Sequence, residues 1–285
     1  MKNFIFVLAV LLLLSVATAF SQGVGNPYTV EKTGHGSKSI IFIPGFASSG
    51  DVWRDTRAAF EHNFTCHTFT MAGFAGVAPQ PGPTFENWER AIAQYVATNQ
   101  LGKVIVVGHS MGGGLALALA ADYPELVDRF VVVDAVPCLA ALMNPSFQSN
   151  PNNDCSAIVT QVMSLSQEQF TTMQRATMAS LASDASRIDT IVSWSLASDR
   201  RTFAEMYCDF SNTDLRKKLA SITASSLILL EPSFQNVPAV AQQYQILQNA
   251  TLKYATKGLH FIMYDDNKWF MDNLSSFINS QPGDV

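Results

Sequence analysis

Ser110 sits in Gly108-His109-Ser110-Met111-Gly112, the G-x-S-x-G spacing of a nucleophile elbow. The apolar run Val104–Val107 precedes it and the Ala- and Leu-rich stretch Met111 to Asp122 follows. A strand turning sharply into a helix at a serine exposes its hydroxyl above the sheet edge. The glycines flank it because the turn packs too tightly for side chains. The helix then points its N-terminal amides and the positive end of its dipole at the same spot. A hydroxyl is a weak nucleophile and needs a base. The chain has five histidines. His35, His62 and His67 precede the serine and read as surface or strand residues. His109 lies inside the turn and cannot face its neighbour's Oγ. His260, in Lys257-Gly258-Leu259-His260-Phe261, falls after the last strand, where loops at the carboxyl ends of parallel strands converge. It is assigned as general base. An oxyanion would need two backbone donors, expected at Met111 and in the loop Pro44-Gly45-Phe46-Ala47, at Phe46.

These residues need a rigid frame, and the chain supplies strand and helix patterns in alternation. Strands are expected at Ser39–Ile43, Phe64–Met71, Val104–Val107, Arg129–Asp134, Ser226–Leu230 and Thr251–Tyr254. Most are apolar on both alternating positions, which indicates a mostly parallel sheet covered by helices on both faces. Helices are expected at Asp51–Phe60, Phe85–Asn99, Met111–Asp122 and Lys268–Ile278. The rhythm stops between residues 137 and 215. That stretch offers only helical patterns, among them Gln167–Leu181 behind a Ser166/Gln169 capping box, Arg187–Leu196 and Thr202–Phe210. It reads as a helical cap inserted into one fold, dividing the core into residues 26–136 and 216–285.

The first 21 residues read differently. Lys2, an unbroken apolar run from Phe4 to Leu14 and the small residues Ser15 to Ala19 have the order of a secretory signal peptide. Cleavage is expected after Ala19, or near Ser21. The run is shorter than the roughly 20 residues a spanning helix needs, so no stable membrane span is expected after its removal. The expected location is periplasmic or extracellular. Four cysteines, Cys66, Cys138, Cys155 and Cys208, suit a disulfide-permissive compartment. Three pairings are open if all four are bridged, and Cys138–Cys155 is the first expectation because it would staple one local segment. No C-x-x-C, metal cluster or nucleotide fingerprint appears, so no metal or cofactor is expected. A net charge of −5 with 18 Lys and Arg against 23 Asp and Glu disfavours nucleic acid as a partner.

The segments Phe42-Ile43-Pro44-Gly45-Phe46, Gly73-Phe74-Ala75-Gly76, Gly108 to Gly113 and His260-Phe261-Ile262-Met263-Tyr264-Asp265 resemble the α/β-hydrolase superfamily, in a form with a helical cap. The resemblance spans residues 38–280. It implies the α/β-hydrolase fold, a Ser–His–acid triad and hydrolysis through an acyl-enzyme, as in esterases, lipases, aminopeptidases and some C–C hydrolases. One element departs from the pattern. In most members the acid lies a few residues beyond the strand matching Leu227–Leu230, but Glu231-Pro232-Ser233-Phe234-Gln235-Asn236 holds no aspartate. Asp134, at the end of the strand after the nucleophile helix, is a position some members use instead and is the first choice. Glu231 is the second.

Phe74, Leu139, Leu142, Met143, Phe147, Trp194 and Met206 are the expected pocket walls. The cap holds no cluster of arginines, so a small, neutral and fairly apolar ester-type substrate is expected. An aminopeptidase would need acidic groups in the cap, and Asp154, Glu168, Asp184 and Asp189 form no evident cluster. A non-catalytic binding protein on the same scaffold is the alternative of another class. Haloalkane dehalogenases and epoxide hydrolases are disfavoured, because they place aspartate where Ser110 stands.

Overall fold

A computed structural model describes residues 26–280. The expected signal peptide lies outside them. Seven strands form one sheet: β1 (Tyr28–Gly34), β2 (Lys38–Ile43), β3 (Phe64–Met71), β4 (Val104–His109), β5 (Val127–Val133), β6 (Ser225–Leu230) and β7 (Ala250–Tyr254). Their order is β1-β3-β2-β4-β5-β6-β7. β1 runs antiparallel to β3, and every other pairing is parallel. The apolar strands follow from this burial on both faces. Ile41, Ile43, Val106, Val132 and Ile228 face one hydrophobic cluster. Their neighbours Ile40, Phe42, Val107, Val133 and Leu229 face the other.

The helices are α1 (Arg54–Ala58), α2 (Phe85–Thr98), α3 (Met111–Asp122), α4 (Ser156–Ser164), α5 (Gln167–Leu181), α6 (Ala185–Ala197), α7 (Arg200–Asn212), α8 (Pro238–Gln243), α9 (Ile262–Asp265) and α10 (Asn267–Asn279). α2 and α3 cover the first face with Trp88, Ile92 and Leu115. α10 covers the second with Phe270, Leu274 and Phe277, beside Trp53. α3 is buried from Met111 to Ala120, which is why that stretch reads as apolar all round. The helix expected from Asp51 to Phe60 is shorter: a 3-10 turn over Gly50–Trp53 runs into α1.

Between β5 and β6 the chain leaves the sheet and builds α4 to α7. The two ends of this excursion meet, because the Leu215 amide donates to the Pro137 carbonyl at 3.0 Å. The expected Ser166/Gln169 capping box is present at the start of α5. The expected Cys138–Cys155 bridge is not formed. Cys155 pairs instead with Cys208, joining the start of α4 to α7. Cys138 is buried, and its amide donates to Gln243 of α8 at 2.8 Å. Local chain separation is therefore a poor guide here, since Cys138 is held against α8 and Cys155 sits at the start of α4. Cys66 and Cys138 are free and buried, and burial pushes the Cys66 thiol up to about 12.

α4 buries none of its residues, so the bridge is a main restraint on it. A loop of this separation, 53 residues, constrains the unfolded chain by about 4 kcal/mol in the chain-entropy treatment. Dithiothreitol is therefore expected to lower the thermal midpoint of the native protein. A Cys155→Ser/Cys208→Ser variant should start lower and no longer respond. Peptide mapping should recover one bridged pair, 155 with 208.

Glu89 of α2 is buried against α3, and burial together with the Asp122 charge pushes its carboxyl up to about 7. A raised acid in the folded state penalises folding as pH climbs from about 4.5 towards 7, and in full above that. Glu89→Gln should raise the melting temperature at pH 8 and change it little at pH 5, as read by calorimetry.

Candidate active site

Three elements end at the same place. β4 ends at His109, and Ser110 follows at φ 53°, ψ −121° before α3 begins. This strained conformation is held from several sides. The Ser110 amide donates to Val133 on the neighbouring strand at 2.8 Å, and its carbonyl accepts from Gly113 at 2.8 Å and Gly114 at 3.1 Å. Two glycines let the backbones close in. A Cβ on Gly108 would lie 2.0 Å from the Gly112 carbonyl oxygen, and one on Gly112 would lie 2.4 Å from that of Ile43. Both obstacles are backbone and cannot yield.

β5 ends beside the elbow, and Asp134 follows it, also at positive φ (48°). Its amide is anchored to Leu229 at 2.7 Å. The next residues are clamped by α8 and its following residue: Tyr244 donates its hydroxyl to the Ala135 carbonyl at 2.8 Å. The Asp134 carboxylate has two partners. Oδ1 accepts the Glu231 amide at 2.7 Å, and Oδ2 accepts His260 Nδ1–H at 2.6 Å. Of the two candidate acids, Asp134 meets the imidazole and Glu231 contributes its backbone. The Glu231 carboxyl is raised by burial, opposed by the Ser233 hydroxyl, and the Asp134 charge pushes it up further. The Glu231 side chain bonds to the Ser233 hydroxyl and not to the imidazole.

The loop carrying His260 is tied down by a residue the sequence reading left without a role. Asp265 Oδ2 accepts the Leu259 amide at 2.8 Å. Its Oδ1 accepts the Asp184 amide at 2.9 Å, and both oxygens sit 3.0 Å from the Ser183 amide. One carboxylate thus fixes the histidine loop to the α5–α6 junction of the cap. A Cβ on Gly258, at φ +91°, would lie 2.3 Å from the Asp265 Cβ. That close approach is the signal in the sequence: Gly258 and Asp265 bracket the histidine. His109 donates Nε2–H to the His260 carbonyl at 3.0 Å. Burial, aided by the His260 charge, holds the His109 imidazole well below the usual range, so it braces the loop as a neutral group.

Ser110, His260, Asp134, Glu231 and Phe46 all border one cavity of about 760 Å³. Among the described hydrogen bonds, none joins Ser110 Oγ to His260. The two side chains share the cavity wall, and such contacts commonly close only when a substrate binds. Among the described residues, neither the Phe46 nor the Met111 amide donates to a protein group. The first is in the loop after β2, the second at the N-terminus of α3, where the first-turn amides have no helical partner.

The cavity walls differ from expectation. Leu139 and Leu142 border it, whereas Phe74, Met143, Phe147, Trp194 and Met206 do not. Phe74 is wedged between Phe46 and Trp88, with ring centres 5.2 and 5.1 Å away. Met206 is fully buried in the same core. Met143, ahead of the Asn144-Pro145 turn, is 92% exposed. The working walls are Ile158 and Val162 of α4, Met173 and Met178 of α5, and Phe203, Tyr207 and Phe210 of α7. Helical spacing identifies an apolar face but not which of two apolar neighbours faces a void.

Residues 38–221 match the family described as the alpha/beta hydrolase fold. The chain belongs to that family. Among curated proteins it is similar to the pimeloyl-[acyl-carrier protein] methyl ester esterase of Vibrio cholerae, 27% identical over 36% of this chain and 39% of that one. The chain matches only about two fifths of the length of such relatives. Solved structures share the fold across nearly the whole chain. The enol-lactonase of Burkholderia xenovorans superposes with a TM-score of 0.74 at 15% identity, covering 89% of this chain and 96% of that one. An esterase from Exiguobacterium antarcticum does so with a TM-score of 0.74 at 17% identity, with the same coverages.

The elbow's tight packing gives a contrast between neighbouring glycines. Gly112→Ala should cost about 1–3 kcal/mol or more, because the Ile43 and Pro44 carbonyls are in the way. Gly114→Ala would meet only aromatic side-chain edges at 3.3–3.4 Å, and should melt close to the native protein. Thermal unfolding of the two variants checks the ranking.

Proposed function

We propose that this chain is an exported serine hydrolase that cleaves carboxylic esters through an acyl-enzyme. The observation that carries the reading is the 2.6 Å bond between His260 Nδ1 and Asp134 Oδ2 at the wall of the cavity that Ser110 also borders. In the proposed reaction Ser110 Oγ attacks the ester carbonyl carbon while His260 Nε2 takes its proton. Asp134 holds the other ring nitrogen protonated and offsets the positive charge that develops. The oxygen turning negative is received by the amides of Phe46 and Met111, each worth on the order of 3 kcal/mol of barrier. Collapse expels the alcohol, which takes its proton from His260. Water then repeats the sequence on the acyl-Ser110 ester, releasing the acid and restoring the hydroxyl.

A neutral, fairly apolar substrate is supported by the walls. Among the described residues no lysine or arginine borders the cavity, and the carboxylates that do, Asp134 and Glu231, stand beside the imidazole. Asp154, Glu168, Asp184 and Asp189 do not border it, so the peptidase alternative lacks groups in the cap to hold an amine. The methyl ester esterase among the relatives favours the same reading. Export is supported by the Cys155–Cys208 bridge, which belongs in an oxidising compartment.

With p-nitrophenyl butyrate, Ser110→Ala should lose both turnover and labelling by a fluorophosphonate. Asp134→Asn should lower kcat by about 10⁴-fold, and Glu231→Gln by far less. The opposite ranking would move the role of the acid to Glu231. Native protein that neither turns over esters nor takes the label would be a binding protein instead.

A further inference from the structure

Buried polar side chains are nearly always hydrogen-bonded, and two on the cavity wall are not. Gln174 of α5 is 3% exposed and Ser195 of α6 is 1% exposed. Both border the cavity. Among the described residues, neither side chain has a hydrogen-bond partner, yet neither is sealed in the way that Trp53 Nε1, Trp88 Nε1 and Glu89 Oε1 are. What little accessible surface each keeps lies at the cavity that both border. They stand among apolar walls such as Met178, Phe203 and Leu181. A leucine and an alanine at these positions would have kept that wall greasy without leaving polar groups unmatched. The carboxamide offers one acceptor and two donor hydrogens, and the hydroxyl offers both kinds.

We propose that Gln174 and Ser195 read a neutral group that both donates and accepts, an amide or a hydroxyl, on the chain of the ester substrate. The proposal rests on the ester hydrolase reading and narrows it. Charged groups fit less well. A carboxylate would meet no cation on the walls and would share the cavity with Asp134 and Glu231. An ammonium at this point would find only neutral dipoles in place of its water shell. A plain alkyl chain would strip water from Gln174 and Ser195 and leave both unpaired, so the site discriminates against it.

Two matched pairs of substrates test this: p-nitrophenyl N-acetylglycinate against pentanoate, and p-nitrophenyl 4-acetamidobutanoate against heptanoate. Each pair has equal chain length, and the amide sits at two different depths. The ratio of kcat/KM within a pair, compared between native protein and variants, cancels the esters' own reactivities. For at least one pair, Gln174→Met should lower the amide-to-alkyl ratio about ten-fold and raise turnover of the alkyl ester. Ser195→Ala should lower the same ratio several-fold. Ratios unchanged in both variants, for both pairs, would overturn the proposal. Thermal stabilisation of Ser110→Ala by the same esters reads the pocket without turnover and without disturbing the cap. A larger shift with the amide ester supports the proposal, and equal shifts overturn it. If native protein hydrolyses nothing while Ser110→Ala is still stabilised more by the amide ester, the hydrolase reading falls and the polar pocket stands.

Discussion

Ser110 keeps a backbone conformation that costs on the order of 1–3 kcal/mol, and its surroundings leave it no other. Its amide is bound to β5, its carbonyl to the first turn of α3, and glycines on either side let backbone carbonyls press in from β2 and from the helix itself. The strain is thus spread over three parallel strands and a helix buried from Met111 to Ala120. Relaxing it would mean parting β4 from β5, which bury the centre of both cores. The placement of the Ser110 hydroxyl therefore depends on sheet packing more than on the five residues of the turn.

The same economy of rigid parts extends to its partners. Ser110 and Asp134 end adjacent strands, so their separation is set by sheet geometry. The histidine comes from a loop, the least rigid source available, and is restrained accordingly. Asp265 collects three amides around it, His109 props its carbonyl, and Asp134 fixes its ring. Asp265 also reaches the α5–α6 junction, so the cap and the imidazole share an anchor. The helices that shape the cavity cannot shift far there without disturbing the loop that carries His260.

The sequence made much of this legible because its strongest signals were local. Val104–Val107, the glycine pentad and the helix after it are contiguous, and each strand buried on both faces shows as an apolar run. β1 escaped notice for the opposite reason. It is an edge strand, Tyr28–Gly34, with Glu31 and Lys32 exposed, and half-solvated alternation over so few residues resembles a loop. α4 escaped because it buries no residue and so carries no strong apolar stripe. The bridge between Cys155 and Cys208 depends on how α4 lies against α7, which is a tertiary fact. Gln174 and Ser195 were invisible for the same reason. A polar residue within a helix reads as a solvated face until the neighbouring helices are in place and it proves to be enclosed.

The meeting of Leu215 and Pro137 through a single backbone bond has an evolutionary consequence. The cap leaves and rejoins the scaffold at nearly one point, like a graft on a stem. A sheet receiving such a graft feels little of its length, because closing a longer loop adds only logarithmically to the entropy lost. Lineages could thus trade whole caps while Ser110, Asp134 and His260 below stayed in place, provided each newcomer again offered Asp265 two amides to hold.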